Sequence, residues 1–415
     1  MLVQQLHHNK SGIDVSGVLE MIWSPWLAIG LATAFFLAWN NGSNNAANMV
    51  GTAVGAGVIS ARKALILASI MTLIGALLLG SYVTDTVMRR IVNISSILEP
   101  DTIAIVMISV LLSSSIWTLI SSFLRIPMSV HACVLGGLVG VGLALGLNFI
   151  NWYTLIKIFI SWLLVPPIAM VMAGALYRIV DRAITSRKGL EVLIPTCSFI
   201  AVFIPLLLSF LKSLTSRGLL IAIAIAGSIG LLAVVISIVI WRRIIRSSRG
   251  IDLVDNSMKI LLIEAAMAMS FSFGSNDVAN AAGPLAAIFY AYKAGEESAI
   301  TVAVILAGIA LSLGIVLWGS TVIETVGKRI TILSPVSAFV AQLTAALVMV
   351  TMSRLGIPAS TSMAIVGSIV GVGLTRGVRY VNKKMLVRIF GMWYLAIPCT
   401  AAIAYVVYRI FLFFI

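Results

Sequence analysis

Apolar runs of roughly 17–25 residues follow one another along nearly the whole chain, and that length is what a bilayer demands of a helix. Within a bilayer only helices and closed barrels satisfy every backbone N–H and C=O, and no alternating apolar–polar pattern marks strands here. The expected class is an all-α, polytopic membrane protein. Composition agrees: 60% of the residues are hydrophobic and 10% charged, where soluble proteins average about 25% charged. Candidate spans fall near residues 22–39, 64–82, 102–123, 132–148, 152–176, 190–211, 219–241, 258–273, 299–320, 336–353, 363–375 and 385–413. The eleventh is short, glycine-rich and follows Pro358, so it reads as a segment that re-enters rather than crosses.

The net charge of +14 comes from 28 Lys and Arg against 14 Asp and Glu. These basic residues sit between apolar spans, with no soluble domain to hold nucleic acid, so they read as short loops facing the cytoplasm. The densest loop carries Arg242, Arg243, Arg246 and Arg249, and the next Arg178, Arg182, Arg187 and Lys188. Two spans separate them, which is consistent, and places both termini on the extracytoplasmic side of a cell membrane. Arg376, Arg379, Lys383 and Lys384 fall on the side of those loops, whereas Arg89 and Arg90 do not. Cys133, Cys197 and Cys399 show no disulfide or metal spacing. Residues 1–21 lack the basic start and apolar core of a signal peptide and read as a flexible lead-in.

The chain repeats itself. Gly42-Ser43-Asn44-Asn45-Ala46-Ala47-Asn48 reappears 232 positions on as Gly274-Ser275-Asn276-Asp277-Val278-Ala279-Asn280. Residues 80–91 resemble 319–330, Pro127-Met128-Ser129 resembles Pro358-Ala359-Ser360, and Trp162 and Pro167 match Trp393 and Pro398. Both Pro-x-Ser elements run on into Gly-x-x-x-Gly-x-Gly-Leu, from Gly136 and from Gly367. Three units follow: a first repeat over residues 22–177, a two-helix linker with basic loops over 178–257, and a second repeat over 258–415. Seven crossings separate corresponding starts, an odd number, so the halves are expected to insert upside-down relative to each other, as in many secondary transporters.

The two amide-rich motifs are the chemistry-bearing part. Glycines, Pro284 and clustered amides make a poor continuous helix, and irregular backbone is tolerated at membrane depth only where it lines a cavity or is buried in protein. Broken helices offer N–H groups to an anion and carbonyls to a cation. Asn and Ser oxygens with the Asp277 carboxylate suit a hard cation such as Na⁺, and an intramembrane carboxylate is a functional candidate by default. Ser129, Ser360, Thr361 and Ser362 stand at helix starts after their prolines, where hydroxyl and N–H groups form an anion cradle. No motif contains Lys or Arg, so a buried oxyanion needs a co-bound cation, which argues for symport. Arg125 and Arg354 read as interfacial side chains. His131 reads as a structural or a proton-coupling group, and Glu264 as a buried partner or a water-facing residue. Gly136 with Gly140, and Gly367 with Gly371, read as close helix packing.

These paired motifs resemble the signature of the inorganic phosphate transporter (PiT) family, a duplicated Gly-[Ala/Ser]-Asn-Asp-Val-Ala-Asn. The first copy runs on into Gly51-Thr52-Ala53-Val54-Gly55 and the second into Gly283-Pro284-Leu285, as in that family. The resemblance implies a twelve-helix, inverted-repeat, dimeric carrier that moves inorganic phosphate with Na⁺, or else H⁺, and uses no other cofactor. By the same matching, Ser43, Asn48, Ser129, Ser275, Asn280, Ser360 and Thr361 are expected to bind phosphate. Asn44, Asn45, Asn276 and Asp277 are expected to bind the cation, with Asn44, Asn276 and Asp277 as Na⁺ ligands. Asn45 stands where the family has Asp, which removes one carboxylate of a pair. Some relatives of the family carry sulfate, the alternative cargo. An enzyme is not expected: an intramembrane phosphatase needs a nucleophile–base pair or an Arg-rich phosphate site, and neither is visible.

Overall fold

The structure, a computed structural model, describes residues 24–93, 99–123, 128–211, 216–247, 250–292, 294–320, 323, 334–377 and 381–414. The lead-in over 1–21, Arg125, Pro127 and residues 324–330 of the repeat lie outside the described residues. The first half comprises α1 (Pro25–Gly55), α2 (Ala61–Asp85) with a π-helical turn over Thr86–Arg90, α3 (Pro100–Phe123), α4 (Val130–Leu145) and α5 (Trp152–Ala183). Next come α6 (Arg187–Phe210) and α7 (Ser216–Ser247), then α8 (Gly250–Asp277), α9 (Ala279–Ala291), α10 (Glu296–Trp318), α11 (Pro335–Arg354), α12 (Thr361–Arg376) and α13 (Lys383–Phe411). Nine helices among the described residues are long and apolar enough to cross a membrane. Proline opens α1, α3 and α11, where its missing N–H costs nothing. The 16 residues of α4 and of α12 reach about 24 Å each, short of the roughly 30 Å apolar layer.

One expectation needs correcting. Helix α1 runs unbroken through residues 42–48, and the second motif departs from the helix only at Val278, between α8 and α9. The reason is local. Asn41, Asn45 and Asn48 share one face of α1 and bond to one another: Asn45 Nδ2 donates to Asn41 Oδ1 at 2.8 Å, and Asn48 Nδ2 to Asn45 Oδ1 at 2.8 Å. The amides thus satisfy each other side by side, and the backbone ladder has no need to open.

The two halves are packed into each other, and glycines set the contacts. A Cβ on Gly42 would overlap the Leu311 carbonyl of α10, and one on Gly314 the Trp39 carbonyl of α1. In the other half, Gly274 of α8 lies against the Thr72 carbonyl of α2, and Gly75 against that of Phe271. Each motif helix therefore crosses the second helix of the other half at backbone contact. The short helices do the same. Gly136 and Gly140 of α4 sit on Ile397 and Ala401 of α13, while Gly367 and Gly371 of α12 sit on Pro166 and Met170 of α5. Small residues permit this approach where apolar lipid gives no hydrophobic drive for helices to associate.

Helices α4 and α12 start together, because Ser362 Oγ donates to the Met128 carbonyl at 2.9 Å, and then part. The end of α4 leads within six residues to the start of α5, and the end of α12 lies beside Arg178 and Arg182 at the far end of α5. Since Gly174 of α5 lies against Thr375, the end of α12 stands about 35 Å along α5 from its start. The described chain ends share one face: the Trp26 and Phe411 rings are 5.7 Å apart, near the start of α1 and the end of α13. Ser24 joins Tyr292 at 2.6 Å, and Tyr292 donates to Asp101 at 2.6 Å. Arg89 and Arg90 do not stand as bare charges, since Asp85 pairs with both and Glu296 with Arg89 at 2.8 Å.

Candidate functional site

The interwoven packing brings both motifs and the starts of α4 and α12 to one place. Asn41 Nδ2 donates to the main-chain carbonyl of Asp277 at 3.2 Å, tying α1 to the end of α8. Around this tie two clusters face each other, and they correspond through the repeat: Asn45 with Asp277, Asn48 with Asn280, Ser362 with His131. In the first, Asn48 Nδ2 reaches Ser362 Oγ at 3.1 Å, and that hydroxyl lies 3.5 Å from Asn45 Oδ1. In the second, His131 Nδ1 lies 3.6 Å from Asp277 Oδ1 and 3.4 Å from Asn280 Nδ2. Each motif thus reaches the first turn of the short helix belonging to the other half. All six side chains are buried.

The clusters differ in charge and in closure. Thr361 Oγ1 also donates to Asp277 Oδ2, at a position where the first repeat has Val130. His131 Nδ1 can donate to Asp277 as an N–H, or accept from Asn280 when unprotonated, but not both. Asn280 Oδ1 and His131 Nε2 are buried with no hydrogen-bond partner among the described residues, as is Asn44 Oδ1. Polar atoms in that condition are rare in folded proteins, and here two of them belong to the side chains grouped with Asp277. No group of three or more His, Cys, Asp or Glu assembles among the described residues. The donor set is therefore amide and hydroxyl oxygen with one carboxylate, suited to a hard monovalent cation.

Ser129 and Ser360 cap α4 and α12, accepting from Ala132 N and Met363 N at 3.3 Å each. Capping uses the hydroxyl oxygen and leaves its hydrogen free to donate. The first-turn N–H groups of both helices point toward the same region. The remaining expected residues flank this centre. Asn44 Nδ2 donates to Ser122 of α3 at 2.7 Å. Asn276 Nδ2 donates to Ser353 of α11 at 3.1 Å and to the Ile357 carbonyl at 3.2 Å, while its Oδ1 accepts from Ala359 N. Ser43 donates to the Asn40 carbonyl, and Ser275 joins Ser353 at 2.8 Å.

Two other charged candidates lie elsewhere. Glu264 bonds to Ser237 of α7, and Arg354 donates to the Leu211 carbonyl while covering the Tyr82 ring at 4.6 Å. Sequence reasoning missed Asn41 and Gln342. The 41, 45, 48 spacing of asparagines along one helix face was the available signal for the first. Gln342, fully buried in α11, donates to the Met49 carbonyl; its amide in an otherwise apolar span marked it.

Comparison with known proteins gives the chain its relatives. A family model described as the phosphate transporter family matches residues 41–404. A Pyrococcus furiosus protein provisionally named a phosphate permease is 31% identical over 411 residues, covering 94% of this chain and 97% of its own. The chloroplastic inorganic phosphate transporter 2-1 of Arabidopsis thaliana is 30% identical over 423 residues, covering 92% of this chain and 71% of its own. A solved structure of a sodium-dependent phosphate transporter superposes with a TM-score of 0.88 at 31% identity, covering 94% of this chain and all of the other. On the match along most of its length and the meeting of both motifs at one buried site, this chain belongs to the phosphate transporter family.

Proposed function

We propose that this protein is a secondary transporter carrying inorganic phosphate together with a monovalent cation, Na⁺ in preference to H⁺. The observation that carries the reading is the setting of Asp277, a buried carboxylate between the first turns of α4 and α12, bonded by Thr361 and 3.6 Å from His131. An oxyanion cradled by the two helix starts meets partial positive charge of about half a unit from each. That does not balance a phosphate, and no Lys or Arg stands in either motif. A cation held by Asp277, Asn280 and neighbouring oxygens supplies the remainder, so each ion makes burial of the other affordable.

In this reading Asn48, Asn280, Ser129, Ser360 and Thr361 face the anion. Asn44, and Ser275 with Asn276, hold the motif helices against α3 and α11, while Ser43 bonds back within α1 to the Asn40 carbonyl. The opposite courses of α4 and α12 from a common start support an inverted repeat over residues 22–177 and 258–415. The shared face of the chain ends, opposite Arg178 and Arg376, supports extracytoplasmic termini.

The test is uptake of labelled phosphate and labelled sulfate into vesicles holding the purified protein, with and without an inward Na⁺ gradient. Phosphate accumulation driven by that gradient is expected. Sulfate accumulation in its place would transfer the cargo assignment to sulfate, and phosphate uptake indifferent to both Na⁺ and pH gradients would end the symport reading.

A further inference from the structure

Beyond the motifs, the strongest unassigned feature is a cleft of about 490 Å³ between the last turns of α5 and α12. Tyr177, Arg178, Asp181, Arg182, Thr375 and Arg376 line it. Below the cleft the two helices are locked together, since Gly371 lies against Met170, and a Cβ on Gly174 would stand 3.2 Å from Thr375 Oγ1. The walls are therefore the ends of two rigid helices rather than loops. Arg178 and Arg182 are four residues apart and share a face of α5. Both are exposed, and neither they nor Asp181 forms an ion pair among the described residues. Arg376, on the opposite wall, lies 3.5 Å from Ser337 Oγ.

The internal repeat shows what the packing itself requires at such a crossing, although the equivalent crossing lies on the opposite, chain-end face, where the preference of cytoplasmic helix ends for basic residues does not apply. The equivalent pair, α13 and α4, packs through the equivalent glycines. There Arg178 is matched by Arg409, but Arg182 by Phe413, Asp181 by Leu412 and Arg376 by Leu145. The fold thus does not require three guanidinia at such a crossing, and only one of the two crossings has them. The cleft also has a position relative to the site: Ser360 caps the other end of α12, about 24 Å away along the helix.

We propose that this cleft is a binding site for a phosphate-type oxyanion at the membrane surface. Guanidinium forks match the oxygen geometry of a phosphate and hold it by paired, charge-assisted hydrogen bonds. Asp181 on the rim makes the site favour an anion that spreads over several arginines rather than one close to the carboxylate. The chemistry fits two sources, the headgroup of an anionic phospholipid or free phosphate on its way to or from the buried site. Only the second rests on the transport reading.

The experiment compares wild type, Arg178→Gln/Arg182→Gln and Arg178→Lys/Arg182→Lys as full-length protein in vesicles. One set is phosphatidylcholine alone; the other contains added phosphatidylglycerol. If the anion is free phosphate, the Gln pair raises the phosphate KM by about three- to tenfold in the neutral vesicles, the loss expected for two partly exposed charge contacts, with kcat unchanged. If it is a lipid headgroup, phosphatidylglycerol raises the unfolding temperature of wild type and not of the Gln pair. The Lys pair keeps the charge but loses the fork, so it recovers part of either effect. The unfolding temperature needs no transport, so the lipid arm decides even where the uptake reading fails. A Gln pair matching wild type in phosphate KM and in its response to phosphatidylglycerol overturns the proposal.

Discussion

The Asn41 side chain donates to the main-chain carbonyl of Asp277 at 3.2 Å, so the first half of the chain grips the second where α8 ends. That bond is one of several in which each motif contacts the other half: Asn48 with Ser362, Asn280 with His131, Gly42 with Leu311 and Gly274 with Thr72. A site made in this way exists only when both halves are in place, and movement of one half against the other acts on it directly.

Replacing Asp277 with Asn keeps the side chain's size and removes the one carboxylate of the paired clusters. Phosphate uptake is expected to fall to background, with the elution profile and unfolding temperature of the purified protein preserved. Retained wild-type uptake would remove Asp277 from the cation site.

Asn45→Asp is expected to create a second demand for cation. Asn45 Nδ2 now donates to the Asn41 carbonyl at 3.1 Å and to Asn41 Oδ1, and a carboxylate there would face those oxygens without a donor. In Na⁺-free medium the variant should lose about 1–3 kcal/mol of stability, as for an unsatisfied buried polar group, and regain it with Na⁺. The Na⁺ dependence of uptake should steepen. An unfolding temperature and uptake curve unchanged from wild type would show that the first motif has no part in cation binding.

Thr361 offers a gentler probe of the same carboxylate. A hydrogen bond to a charged group is worth about 1.5–3 kcal/mol, so Thr361→Val should reduce uptake at low phosphate about tenfold or more. Thr361→Ser keeps the hydroxyl and should stay near wild type. Equal activity of the two variants would show the hydroxyl to be idle.

The interlocked glycines predict a stability effect with a built-in control. Gly274→Ala drives a methyl into the Thr72 carbonyl and should cost about 1–3 kcal/mol, typical of overpacking. Gly227→Ala in α7 meets nothing within 4 Å and should be neutral or gain up to about 1 kcal/mol from helix propensity. Thermal unfolding in detergent measures both, and equal midpoints would contradict the packing argument.

The helical membrane class was legible in the apolar runs, and the site in the duplicated motif, because both are patterns along the chain. Helix α1 was misread: asparagines and glycines argue for broken backbone when counted singly, and only their spacing shows that Asn41, Asn45 and Asn48 satisfy one another. The glycines of α4 and α12 signalled close packing, but their partners in α13 and α5 lie 261 residues (397 − 136) and 201 residues (367 − 166) away, beyond any periodic signal. Arg89 and Arg90 stand against the charge rule as letters, and their pairing with Asp85 and Glu296 could not be read from the sequence because Glu296 lies in the other half of the chain.

The central claim, that phosphate and a cation occupy one buried site together, is tested most directly by the affinity of purified protein for labelled phosphate with Na⁺ present and absent. Linkage requires that each ion tighten the other by the same factor. The account predicts that Na⁺ strengthens phosphate binding in wild type and has no effect in Asp277→Asn. Phosphate affinity unmoved in wild type by Na⁺ and by pH would contradict it.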